Sequence, residues 1–137
     1  MAQYLLDTDV CIELLKQNER VLSKVEAVGA ENCFVTEITI AELFYGAAKS
    51  NRPGQFEDIS YILQSFDLKP LLPTLRLYGI NKSVLESKGN MIGEFDLLIG
   101  SCAVHYDLTM VTSNLKHFDH IPDIILEDWA QKSKHNV

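Results

Sequence analysis

Residues 4–10 read Tyr-Leu-Leu-Asp-Thr-Asp-Val, an apolar run that stops at two carboxylates flanking a threonine. This is the pattern of a buried strand whose carboxyl end delivers Asp7 to a cleft, the place where open α/β sheets bind ligands. Two further acids, Glu42 in Ile38-Thr-Ile-Ala-Glu-Leu-Phe-Tyr45 and Asp96 in Asp96-Leu-Leu-Ile-Gly-Ser-Cys-Ala103, are embedded in apolar helical segments. A carboxylate in such surroundings is destabilising unless a cation offsets its charge, and a divalent metal does this directly. Three or four carboxylates with few histidines favour a hard, oxygen-seeking ion such as Mg²⁺ or Mn²⁺. That ion suits phosphate chemistry, because it neutralises the phosphate, lowers the pKa of a water and steadies the leaving oxygen.

Each acid also has an ordinary structural role open to it. Asp7 could cap a helix, Glu42 could reach water from a helix edge, and Asp96 could favour its helix as a first-turn acid. Gly100 and Ala103 lie on the Asp96 side of that helix, at i+4 and i+7, and would let it pack closely. Thr112-Ser113-Asn114 follows a strand ending at 112 and offers a fourth position, at the same sheet edge as Asp7 if the two strands are parallel neighbours. Asp119 comes shortly after. Thr8, Thr112 and Ser113 could hold a water or a ligating carboxylate in place. His117 and His120 lack thiol or acidic partners at zinc spacing and read as solvated surface residues. Trp129 reads as a cap on the core.

The elements that position these groups alternate in type. Strands are expected at 3–7, 33–36, 68–72, 108–112 and 124–126. Helices are expected at 10–15, 19–28, 38–49, 55–66, from Pro73 to about 87, and at 95–106. Gly29 ends one helix, Ser50-Asn-Arg-Pro-Gly54 is a clear break, and 86–93 reads as an exposed loop. Alternation of this kind implies a parallel sheet covered on both faces, a small three-layer α/β/α sandwich with short strands.

The chain has 137 residues, 47% of them apolar, which suits one folded domain over residues 1–131 with a frayed tail at 132–137. The apolar runs are far too short to span a bilayer, the start Met-Ala-Gln-Tyr lacks a basic signal region, and Cys11, Cys33 and Cys102 form no metal or disulfide spacing. A cytoplasmic protein is expected. The net charge of −7 argues against a nucleic-acid partner, although two divalent cations in an acidic site would offset about four of those charges. Lys16, Arg20, Lys49, Arg52, Lys82 and Lys88 could frame a backbone-binding surface, or be solvated helix faces.

Four segments, Leu5–Ile12, Thr39–Gly46, Ile92–Gly100 and Leu108–Phe118 continuing through Ile124 to Trp129, occur in the order found in the PIN-domain ribonucleases. The chain resembles that family, and within it the VapC-like toxins of bacterial toxin–antitoxin pairs. The resemblance implies that Asp7, Glu42 and Asp96 are the metal-binding acids, supported by Thr8 and by Ser113 or Thr112. It leaves three candidates, Asn114, Asp119 and Glu94, for a fourth position that the family often fills with an acid. Asp9 stands where the family often has Asn, which implies a place outside the metal's immediate ligands. The resemblance also implies RNA hydrolysis by metal-activated water to 5′-phosphate products, a homodimer, and a small antitoxin that blocks the acidic cleft with a basic side chain.

Two other readings compete. Asp7-Thr-Asp-Val10 fits the nucleophile motif of haloacid-dehalogenase-type phosphatases, with Asp7 phosphorylated and Asp9 as acid/base. That reading leaves Glu42 unexplained. A non-catalytic binding module is the other, and the three intact acids argue against it.

Overall fold

The computed structural model describes residues 2–51 and 53–131; the expected tail at 132–137 lies outside them. The chain alternates between strand and helix: β1 (Tyr4–Leu6), α1 (Thr8–Leu15), α2 (Glu19–Val28), β2 (Cys33–Val35), α3 (Glu37–Ser50), α4 (Gln55–Ser65), β3 (Asp67–Leu68), α5 (Leu75–Ser87), α6 (Glu94–His105), β4 (Thr109–Val111), α7 (Leu115–Phe118) and β5 (Leu126–Glu127). The strands pair in the order β3-β2-β1-β4-β5, every pair parallel. β1 is therefore the central strand, and β4 is its immediate parallel neighbour.

Side-chain alternation along the strands builds the layers. Leu6, Cys33, Val35 and Val111 join a core with α1, α2, α3 and α4. Leu5, Phe34 and Met110 point the other way, into a core with α5, α6 and α7. Both faces of each inner strand are buried, so the three-layer sandwich expected from the alternation is the fold observed.

Strand and helix ends differ from expectation for local reasons. α1 begins at Thr8 rather than Val10, because Asp7 itself caps it by accepting the Thr8 N–H at 2.8 Å. β3 is two residues long instead of five: Lys69 N–H still donates to Val35 O, and then Pro70, which has no N–H, ends the ladder. The last strand sits at 126–127, not 124–126. The single turn of α7 is too short for periodicity to reveal. Gly100 admits close packing, though its partners are the side chains of Phe118, Ile121 and Ile124. A Cβ there would stand 2.4 Å from Ile121 Cδ1. Trp129 is buried, packs at a tilt against Tyr4 with ring centroids 5.1 Å apart and donates to Glu127, as a core cap should. Among the described residues, no helix is long and apolar enough to cross a membrane.

Candidate active site

β1 ends in the middle of the sheet, so the residue after it emerges between the ends of β2 and β4. That residue is Asp7, only 5% exposed. Its backbone N–H continues the ladder to Val111 O at 2.9 Å, which fixes the carboxylate at the sheet edge. Both carboxylate oxygens are held: Oδ1 accepts the Thr8 N–H at 2.8 Å, and Oδ2 accepts the Thr112 hydroxyl at 2.9 Å. Asp7 thus caps α1 while its carboxylate is held at the carboxyl edge of the sheet.

Thr112 is fully buried at the end of β4 and also accepts the Asn114 N–H at 3.1 Å. Thr8 reaches sideways to the start of α3. Its hydroxyl donates to Glu42 Oε1 at 2.5 Å and lies 3.1 Å from Thr39 Oγ1. Thr8 has one hydroxyl proton, so in the second contact Thr39 is the donor. A chain Thr39–Thr8–Glu42 therefore orients the Glu42 carboxylate, with Asp7 and Thr8 adjacent in sequence. Asp96 lies in the first turn of α6, partly buried, with Oδ2 at 3.2 Å from His117 Nδ1.

Burial, the charge of Asp9 and the charge of Asp96 raise the Asp7 pKa; the Thr8 N–H and Thr112 hydroxyl lower it. Burial is the largest influence, and the net result is a carboxyl pushed up to about 7. Asp9 is raised too, chiefly by burial. Its Oδ2 accepts the Ser113 N–H at 3.0 Å, while its buried Oδ1 has no hydrogen-bond partner. Asp9 is therefore part of the acidic cluster's electrostatics. The sequence reading set it outside the immediate ligands, and nothing in its i+2 spacing from Asp7 announces the bond to Ser113.

The three candidates for a fourth position separate clearly. Glu94 is held by Tyr78 and by Lys82, whose Nζ is 2.5 Å away. Asp119 is exposed and lies 3.6 Å from His120. Asn114 uses its backbone N–H to cap Thr112, and its side chain makes no cap. None of these side chains is bonded into the Asp7 group. His117, read as a solvated residue, is mostly exposed yet touches Asp96. Sequence reasoning also gave no role to Thr39.

As the side chains lie, no three acidic, thiol or imidazole groups among the described residues are gathered closely enough to share one ion. The donor chemistry nonetheless fits a hard divalent cation. The cluster's carboxylates and hydroxyls offer oxygen donors only, and one buried carboxylate oxygen, Asp9 Oδ1, lacks a partner. Beside Glu42, Lys16 and the apolar side chains Ile12, Leu43, Ala47 and Ile59 line a groove of about 420 Å³.

Known proteins match this chain in sequence and fold over most of its length. The PIN domain family model matches residues 4–124. The chain is 34% identical to the ribonuclease VapC2 of Rickettsia felis over 92% of its own length and 97% of that protein. It is 30% identical to the tRNA(fMet)-specific endonuclease VapC of Salmonella typhimurium, over 95% of its own length and all of that protein. It superposes with a TM-score of 0.85 on a chain of the R. felis VapBC2 complex bound to a promoter DNA fragment, at 33% identity over 92% of this chain and 98% of that one. Fold, motif order and relatives agree: the chain belongs to the PIN-domain family, whose ribonucleases are generally divalent-metal dependent, and within that family to the VapC ribonucleases.

Proposed function

We propose that this protein is a Mg²⁺- or Mn²⁺-dependent endoribonuclease and the toxin of a toxin–antitoxin pair, with Asp7, Glu42 and Asp96 as the acids that hold the ion. One observation carries the reading. Asp7 is buried at the end of the central strand with both oxygens fixed, and burial first, then the charge of Asp9, raises its proton affinity. When bound, the ion would neutralise a phosphodiester, acidify a water and steady the departing 3′ oxygen.

The chain's own groups orient the acids. Thr112 fixes Asp7, Thr8 and Thr39 fix Glu42, and His117 restrains Asp96. The phosphatase reading gives no work to the Thr39–Thr8–Glu42 chain and is set aside. The groove beside Glu42 suits an amphipathic antitoxin segment that extends a basic side chain toward the carboxylate. The R. felis relative was solved as a VapBC2 complex. We propose a homodimer as well, with Leu72 and Leu75, both exposed where the chain enters α5, as candidates for its face. We assign the protein to the cytoplasm, as one domain over residues 1–131.

Antitoxin-free protein should cut total cellular RNA into discrete fragments with 5′ phosphates in Mg²⁺, and EDTA should stop it. Failure of well-folded protein to cut RNA with any divalent metal would overturn the reading.

Thr112→Val tests the positioning. It keeps the shape but removes the donor to Asp7 and the acceptor of the Asn114 N–H. Cleavage should fall by about 10–100-fold, and denaturant titration should show a loss of about 1–3 kcal/mol. Thr112→Ser should recover most of both.

A further inference from the structure

On the Asp96 side of the site, the 89–93 loop and α7 enclose a second cleft of about 440 Å³, bordered by Lys116, His117 and His120. We propose that this cleft is a subsite for a backbone phosphate of RNA flanking the cleaved bond, with Lys116 as its charged contact. The inference rests on the ribonuclease reading.

The cleft adjoins the acids directly. His117 Nδ1 is 3.2 Å from Asp96 Oδ2, and a Cβ on Gly93 would stand 3.8 Å from the same oxygen. The His117 contact uses Nδ1 and leaves Nε2 on the opposite edge of the ring. Gly89, at φ +72°, has open space where a Cβ would be, so a phosphate could approach the backbone there. His120 contributes a second imidazole, 3.6 Å from Asp119 Oδ1.

Charge decides the assignment. With a net charge of −7, the chain holds flanking phosphates beyond the ion's reach best where a side-chain cation lines the cleft. Three of the six cations named from the sequence are engaged elsewhere, and neither Lys16 nor Lys88 lines this cleft. Lys82 is bound to Glu94, Arg20 donates to Ala130 O, and Lys49 lies over Tyr45. Arg52 falls outside the described residues. Lys69, too, is occupied, lying 4.2 Å above Phe34 and 5.0 Å from the Tyr106 ring centroid. Lys116 is exposed and makes no hydrogen bond or ion pair among the described residues, yet it borders the cleft that touches Asp96.

The test is binding of a fluorescein-labelled single-stranded RNA oligonucleotide to full-length Asp7→Asn protein in Mg²⁺, across a salt series. Lys116→Gln in that background should weaken Kd by about fivefold and reduce the slope of log Kd against log salt by about 0.7, the share of one phosphate contact. Lys116→Arg should restore both. Lys24→Gln, on α2 and outside this cleft, should change neither. In the active protein, Lys116→Gln should raise KM by a similar factor and leave kcat within about twofold. Equal salt slopes for the Lys116→Gln and Lys24→Gln proteins would overturn the subsite even if the wild type cuts RNA. A changed slope, together with a wild-type protein that binds the RNA in Mg²⁺ and leaves it uncut, would sustain a phosphate subsite and remove the ribonuclease reading.

Discussion

Asp7→Asn is expected to lower RNA cleavage by about a thousandfold or more. In metal-free protein it is also expected to raise stability above the wild type at pH 8, by a margin that shrinks to near zero around pH 4. Both effects have the same origin. Asp7 is a buried acid whose pKa is pushed up to about 7 by burial first and by Asp9 next. Between roughly pH 4 and 7 the native state keeps a proton that the unfolded chain has released. Stability therefore falls as pH rises through that window, the reverse of a salt-bridged aspartate. A displacement of about three decades in proton affinity sets a ceiling near 4 kcal/mol on the margin at pH 8. Asn carries no charge. Its carbonyl can still accept the Thr8 N–H, and its amide can donate to the Thr112 hydroxyl, so the cap and the tie to β4 survive. Urea denaturation in EDTA at pH 4, 6 and 8, beside kcat on RNA, checks both halves. Parallel stability profiles for the two proteins would show that the Asp7 carboxyl is not under the strain described.

The parts of this arrangement visible in the sequence are those encoded by local pattern. Tyr4-Leu5-Leu6 before Asp7 reads as a strand because both faces of a central strand must be apolar, and Leu5 and Leu6 do enter opposite cores. The expectation that Thr112 shares an edge with Asp7 followed from alternation and parallel pairing, and β4 is indeed the neighbour of β1. What escaped the sequence depends on contacts between distant segments. Asp9 meets Ser113 across 104 positions and His117 meets Asp96 across 21, whereas Thr8, expected to support the acids, does hold one of them, Glu42, across 34. No periodicity reports such pairs. Lys116 was overlooked among the cations for the same reason: its significance lies in which cleft α7 borders, and α7 is a single turn. Glu94 was open as a site acid because its partners, Tyr78 and Lys82, come from α5.

Mg²⁺ affinity is expected to climb by about tenfold per pH unit below pH 7 and to level off above it, because the ion must displace the Asp7 proton to bind. From pH 5 to pH 7 this amounts to about a hundredfold, measurable by calorimetric titration or by the shift of Tm with Mg²⁺. At a concentration one hundred times Kd the ion should add about 2.7 kcal/mol of stability, so EDTA should destabilise the protein at pH 8 and change little at pH 5. The neighbours of Asp7 allow the origin of the curve to be dissected. Asp9 raises Asp7 through its charge and is second to burial in doing so. Asp9→Asn should therefore move the bend to lower pH without removing it, and its amide oxygen can still accept the Ser113 N–H. Asp7→Asn should weaken the ion at every pH and flatten the curve, leaving the residual titration to Asp9. If wild-type affinity were the same at pH 5 and pH 8, the ion would not be competing with the Asp7 proton, and Asp7 would lose its place among the ligands.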